Sequence, residues 1–280
     1  MQSKIAVVYL MWLPYGMELF KEFLSSYKAR KTDTAHDLII IFNGCKNEEE
    51  VIPYQALLKE ANVSADHMTM ESGQDIEAYM SFAKKSTHEI VLYLNTFSVL
   101  LSDFWLEKYI DHFKDGVGLV GASASNASYR SAVLLTNSIK YDQSKSFNEN
   151  FRKYKLIVKA FFYWRFFFKS FPNPHLRTNA FMVKRVIFSQ LTYKPFTNKF
   201  RALEFENGIN SMSVQIEKLG LKVLVVDRNN NIYDSSNWHL SKTFWSSLQE
   251  NLLVSDNQTR RYEAADTSER KLLSKIAWAF

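Results

Sequence analysis

Short, unbroken apolar runs, each followed by a stretch with helical apolar spacing, constrain this chain more than any other feature. Residues 5–10 (IAVVYL), 37–42 (DLIIIF), 90–94 (IVLYL) and 117–122 (VGLVGA) read as buried strands, with residues 66–70 as a shorter one. Between them, residues 17–27, 48–61 and 76–85 read as helices; in the first, Leu19, Phe20, Phe23 and Leu24 share one face. A strand that is apolar at every position needs cover on both faces. Strands alternating with helices therefore predict an α/β fold: a mainly parallel sheet flanked by helices. The 280 residues suffice for one such domain with a sizeable core.

Strand ends are where the chemistry is expected, because open α/β sheets gather ligands at their carboxyl edge. The run at 37–42 ends in the turn dipeptide Asn43-Gly44, and the run at 90–94 ends in a polar turn, Asn95-Thr96-Phe97-Ser98. A helix-like stretch with Trp105, Leu106 and Tyr109 follows.

The second half is organised differently. Residues 126–150 are polar and poorly periodic, and read as a loop region with a short strand at 133–136. Residues 151–171 hold ten aromatics and six Lys or Arg with no Asp or Glu, and read as a basic aromatic helix stopped by Pro172-Asn173-Pro174. Residues 178–184 and 221–226 read as strands. Residues 207–219 read as a helix closed by Gly220, and 271–280 as a terminal amphipathic helix, giving a helical C-terminal part.

Several classes are disfavoured. No Gly-x-Gly-x-x-Gly or Walker-type loop supports a dehydrogenase or P-loop ATPase, and no Gly-x-Ser-x-Gly elbow supports a serine hydrolase. The six histidines lack the paired spacing of a zinc site. Cys45 has no intramolecular disulfide partner, which favours a reducing compartment. The apolar run at 5–13 leads into Pro14-Tyr15-Gly16 and reads as a core strand, not a signal sequence. No segment reaches about 18 uninterrupted apolar residues, the length a membrane span needs.

The order IAVVYLMW, DLIIIFNG, helix, VLYLN resembles the nucleotide-binding half of GT-A-fold, family-2-type bacterial glycosyltransferases. There a strand runs into an Asp-x-Asp motif; the matching triplet here is Asn95-Thr96-Phe97, without either carboxylate. EFENGINSMSVQIEKLGLKVLVV resembles the family's Glu-Asp element, with Glu206 on the catalytic-base position and Asn207 in place of Asp. FPNPHLRTNAFMVKR, DSSNWHLSKTFWSSLQENLL and SDNQTRRY are similar to segments of a subgroup from polysaccharide gene clusters. The resemblance implies a nucleotide-sugar-binding half at 1–125 and an acceptor-binding half at 126–280, together a single GT-A domain.

It also implies transfer of a sugar from a nucleotide-sugar donor to a glycan or lipid-linked glycan acceptor in bacterial surface polysaccharide synthesis (lipopolysaccharide or capsule), with inversion. Glu206 would open a helix and act as base, with Leu10, Asn43, Asp75, Asn95, Thr96, Ser98, Arg177 and Asn179 around the donor. Glu204, Trp238, Asp256, Asn257, Arg260 and Arg261 would meet the acceptor or phosphates, the tail folding back over the site. Mn2+ or Mg2+ is the implied cofactor, with its usual carboxylates missing and its ligands unassigned.

The net charge of +6 is concentrated at 151–169. Cations among aromatics suit an anionic membrane surface on the cytoplasmic side or a homodimer contact; a core helix with one basic face is the plainer alternative, and stacking on RNA is the least favoured reading. A catalytically silent sugar- or nucleotide-binding assembly protein of the same fold is the alternative to an enzyme.

Overall fold

The computed structural model describes residues 3–136, 146–196 and 198–279. Its strands are β1 (Ile5–Trp12), β2 (Asp37–Asn43), β3 (Asp66–Met70), β4 (Ile90–Leu94), β5 (Val99–Leu100), β6 (Val117–Gly121), β7 (Ala124–Ser125), β8 (His175–Leu176), β9 (Ala180–Lys184), β10 (Lys222–Val226), β11 (Ile232–Tyr233) and β12 (Val254–Ser255). Eight of them form one sheet in the order β11-β10-β6-β9-β4-β1-β2-β3. β1 pairs in parallel with β2 and β4, β2 with β3, and β6 with β10. β9 and β11 run antiparallel to their neighbours.

The continuous apolar character of β1 has the expected physical cause. Ala6, Val8 and Leu10 enter one core cluster, and Val7, Tyr9 and Met11 enter the other, on the opposite face of the sheet. Helices α1 (Glu18–Ala29), α2 (Ile52–Glu60) and, further along, α4 (Trp105–Ile110) cover the second face through Phe20, Phe23, Tyr54, Leu58 and Trp105. The first face is covered by α3 (Asp75–Lys85), α7 (Arg185–Gln190), α8 (Lys199–Asn207), α9 (Met212–Lys218), α10 (Asn257–Ala264) and α11 (Thr267–Trp278). α5 (Tyr129–Thr136) and α6 (Phe147–Val158) stand apart, around a small cluster of Ala160, Trp164 and Phe168.

Three expectations fail. Residues 133–136 are helical, part of α5, not a strand; of the rest of the expected loop region, 129–132 and 147–150 are helical too, and residues 137–145 lie outside the described residues. The single helix expected at 207–219 is two, α8 ending at Asn207 and α9 starting at Met212, because Gly208 breaks the run. A Cβ at Gly208 would lie 2.2 Å from the Glu204 carbonyl, so only glycine closes α8 this tightly. The aromatic segment is not one regular helix. After α6 it continues as a π turn (Lys159–Tyr163) and a short 3-10 turn (Trp164–Phe166). Phe280, the end of the expected terminal helix, lies outside the described residues.

The tail folds back onto the sheet. β12 pairs with β5, with Val254 opposite Leu100, and Leu101 N–H donates to the Leu253 carbonyl at 3.0 Å. No helix among the described residues is long and apolar enough to cross a membrane.

Candidate active site

The direction of β9 assembles the site. Because β9 is antiparallel to β4, with Ala180 opposite Leu94, the residues just before Ala180 lie beside those just after Leu94, at the carboxyl edge. Asn95 N–H donates to the Asn179 carbonyl at 2.9 Å, and Arg177 N–H to the Ser123 carbonyl, just past β6, at 3.1 Å. The Asn43 side chain, at the end of β2, donates to the Gly73 carbonyl at 3.0 Å and so brings the start of α3, with Asp75, to the same edge.

The turn after β4 is tied down from within. Asn95 Oδ1 accepts from Phe97 N–H at 3.1 Å and from the Ser98 hydroxyl at 3.0 Å, an Asx-turn. Thr96 Oγ1 accepts from Trp12 N–H at 3.1 Å, and the Thr96 carbonyl accepts the Tyr9 hydroxyl at 2.7 Å. These oxygens are already committed to hydrogen bonds, and the Phe97 side chain offers none. A hard divalent cation takes several oxygens, mostly carboxylate. Among the described residues no group of three or more His, Cys, Asp or Glu side chains is placed to hold one. The residues at this turn do not fit a resident Mn2+ or Mg2+.

Behind the turn lies a buried polar chain. Arg177 Nη2 donates to Asp256 Oδ2 at 2.6 Å and Nη1 to Ser123 Oγ at 3.2 Å, while Ser123 Oγ donates to Asn179 Oδ1 at 3.1 Å. The guanidinium sits 4.0 Å from the centre of the Phe244 ring. Asp256 is fully buried and also caps α10, accepting from Gln258 N–H at 3.0 Å and Thr259 N–H at 2.9 Å. The Asn179 amide nitrogen is buried without a hydrogen-bond partner.

Glu206, in the last turn of α8, reaches this edge from the side: its Oε1 accepts from Thr178 N–H at 3.1 Å. A cleft of about 170 Å³ opens here, lined among others by Ser128, Tyr129, His175, Arg177, Glu206 and Asn207. His175 Nδ1 lies 2.8 Å from the Asn173 carbonyl, which can only accept, so Nδ1 carries the proton and Nε2 is left as an acceptor. Burial pushes the His175 pKa below the usual histidine value; Glu206 opposes that shift and Arg177 adds to it. Asp75 touches solvent, yet the protein packed around it raises its carboxyl above the usual range, and the charge of Glu206 raises it further; Lys199 works the other way. The charge of Glu206 thus acts on both Asp75 and His175.

No family model matches the sequence, and no curated protein matches it. Among solved structures, the chain is similar to the mannosyltransferase PcManGT from Pyrobaculum calidifontis in complex with GDP-Man and Mn2+, at 10% identity and a TM-score of 0.48, over 86% of this chain and 60% of that one. It is also similar to CMP:2-keto-3-deoxy-manno-octonic acid synthetase complexed with CTP, at 10% identity and TM-score 0.43, covering 80% and 89%. A third likeness is glucosyl-3-phosphoglycerate synthase from Mycobacterium tuberculosis in complex with Mn2+, UDP and glucosyl-3-phosphoglycerate, at 12% identity and TM-score 0.38, covering 68% and 60%. The chain spans less than two thirds of the mannosyltransferase and of this synthase. At such identities and TM-scores these likenesses establish no activity.

The residues singled out in the sequence divide into two groups. Asp75, Asn95, Thr96, Ser98, Arg177, Asn179 and Glu206 come together at the carboxyl edge. Arg260 joins them indirectly, donating to the Phe97 carbonyl at 3.2 Å while pairing with Glu22 at 3.1 Å. The helix position of Glu206 needs correction, and the remaining residues lie apart from the edge or are committed elsewhere. Glu206 does not open a helix but lies in the last turn of α8, at the negative end of the helix dipole. Glu204, two residues earlier, is turned away from it and paired with Lys194 at 2.8 Å and Arg201 at 2.5 Å, beside a different cavity. Leu10 is wholly buried in the core. Asn43 is buried with its amide committed to the Gly73 carbonyl and its oxygen to Gly44 N–H. Trp238 is a core residue whose indole N–H donates to the Tyr233 carbonyl. Asp256 is committed to Arg177 and its own helix cap, Asn257 is exposed at the start of α10, and Arg261 pairs with Glu269 on the surface. His175, Ser123, Tyr129, Phe244 and Lys199 went unnoticed. The run Asn173 to Arg177 could have suggested His175; no local signal marks Ser123 or Lys199.

Proposed function

We propose that the chain is a GT-A-type glycosyltransferase that uses a nucleotide-sugar donor and inverts the anomeric centre, with Glu206 as general base. The observation that carries this reading is the cleft lined by Glu206, whose carboxylate accepts from Thr178 N–H at the sheet edge where ligands gather, one residue from the Asn179 that pairs with Asn95. An acceptor hydroxyl in the cleft would attack the anomeric carbon. The new C–O bond forms as the bond to the nucleoside diphosphate breaks, the hydroxyl proton passes to the Glu206 carboxylate, and the diphosphate leaves with the electron pair. The turn Asn95–Ser98 would line the diphosphate. Without fitting metal ligands, the leaving charge would be met by cations already near the edge, Lys199 by Asp75 and Arg260 behind Phe97. His175 Nε2 is a neutral acceptor that would orient the incoming hydroxyl.

A place in bacterial surface polysaccharide synthesis rests on the sequence resemblance. One observation favours a second reading, a non-catalytic sugar- or nucleotide-binding protein: the Asn95 side-chain oxygen is taken by Phe97 N–H and the Ser98 hydroxyl, and the Thr96 side-chain oxygen by Trp12 N–H. Glu206→Gln separates the two. Transfer should fall about 10²-fold or more while donor affinity, measured by calorimetry, is retained. Unchanged turnover in the variant would remove Glu206 as base. Donor binding without any turnover in the parent protein would favour the second reading.

A further inference from the structure

Residues 147–169 expose aromatic rings that folded domains ordinarily bury. Asn150, Ile157, Ala160, Trp164 and Phe168 turn inward, and Trp164 and Phe168 pack on Tyr129 with ring centres 4.9 and 5.4 Å away. Phe147, Phe151, Phe161, Phe162, Tyr163 and Phe166 are each more than half exposed. Arg152, Lys155, Lys159, Arg165 and Lys169 are exposed among them, and none of the five forms an ion pair among the described residues.

We infer that this face docks on an anionic phospholipid surface. Rings at headgroup depth combined with cations facing lipid phosphates are the two contributions interfacial binding needs. The same charge argues against a second copy of the chain, since a two-fold contact would bring five unpaired cations against the same five. The segment that carries this face lies close to the cleft, because Tyr129, which lines the cleft, packs against its inward-facing Trp164. Docked in this way, the protein would hold its cleft at the membrane, which suits a glycan acceptor carried on a lipid. That last step rests on the glycosyl-transfer reading; the docking does not.

The test is flotation with phosphatidylcholine vesicles, with and without phosphatidylglycerol, alongside calorimetric titration with nucleotide sugars. The protein should float with the anionic vesicles. The triple variant Lys155→Glu, Lys159→Glu, Arg165→Glu should lose about 10²-fold or more in partitioning, at roughly fivefold per cation. Phe161→Ser with Phe162→Ser and Phe166→Ser should also weaken it. All six positions are exposed, so both variants should keep the parent's melting temperature. A parent protein that stays in the vesicle-free fraction overturns the docking, as does a dimer that the Phe variants convert to monomer. Nucleotide-sugar binding that persists without flotation defeats the docking alone, whereas flotation without such binding defeats only the transferase reading.

Discussion

Replacing Asp256 by Ala removes two interactions at once, and the structure sets their sizes. The first is the cap of α10: two backbone N–H groups lose their acceptor, at about 1 kcal/mol. The second is the partner of Arg177, whose side chain is 10% exposed while that of Asp256 is 0%. A buried ion pair broken from one side costs about 3–5 kcal/mol, because the remaining charge stays desolvated. The sum is about 4–6 kcal/mol, and since Arg177 borders the cleft and water can approach it, the lower end is expected. Asp256→Asn keeps an acceptor for the cap and loses only the charge, so about 2–3 kcal/mol is expected. Adding Arg177→Met to Asp256→Ala should recover part of the loss, since no unpaired charge remains. Urea denaturation of the four proteins measures all of this. A loss below about 1.5 kcal/mol for Asp256→Ala, or a double variant less stable than the single, would refute the reasoning.

Three further outcomes follow from the geometry. Gly121→Ala should cost about 1–3 kcal/mol in thermal denaturation, because the new Cβ would lie 2.5 Å from a Leu176 methyl and push β8 away; Leu176→Ala should partly rescue it. Asp75→Asn should raise the melting temperature at neutral pH. An acid whose folded pKa lies above its unfolded one costs stability, fully above the folded value and not at all below the unfolded one, so the gain should vanish toward pH 4. Donor affinity measured by calorimetry should be unchanged by EDTA, since the oxygens of the turn after β4 are already committed; abolition by EDTA and recovery with Mn2+ would show that other ligands hold a metal.

How much was legible in the sequence depended on how far along the chain the cause lay. β1, β2 and β4 could be read because burial on both sheet faces demands apolar residues at consecutive positions, a purely local pattern. The turn Asn95–Ser98 was legible for the same reason: polar residues mark where the buried run ends. The break between α8 and α9 was missed because Gly208 acts through its contact with the Glu204 carbonyl, a matter of fit and not of pattern. The direction of β9 was equally hidden, since an apolar strand reads the same both ways, yet its antiparallel pairing brings Arg177 and Asn179 to the carboxyl edge. Arg177 and Asp256, 79 positions apart, illustrate the limit. The sequence alone determined where the buried strands β1, β2 and β4 form, because neighbouring residues there share one burial pattern. Which polar groups meet was decided only by tertiary packing, because a buried charge takes its partner from whatever the fold places against it.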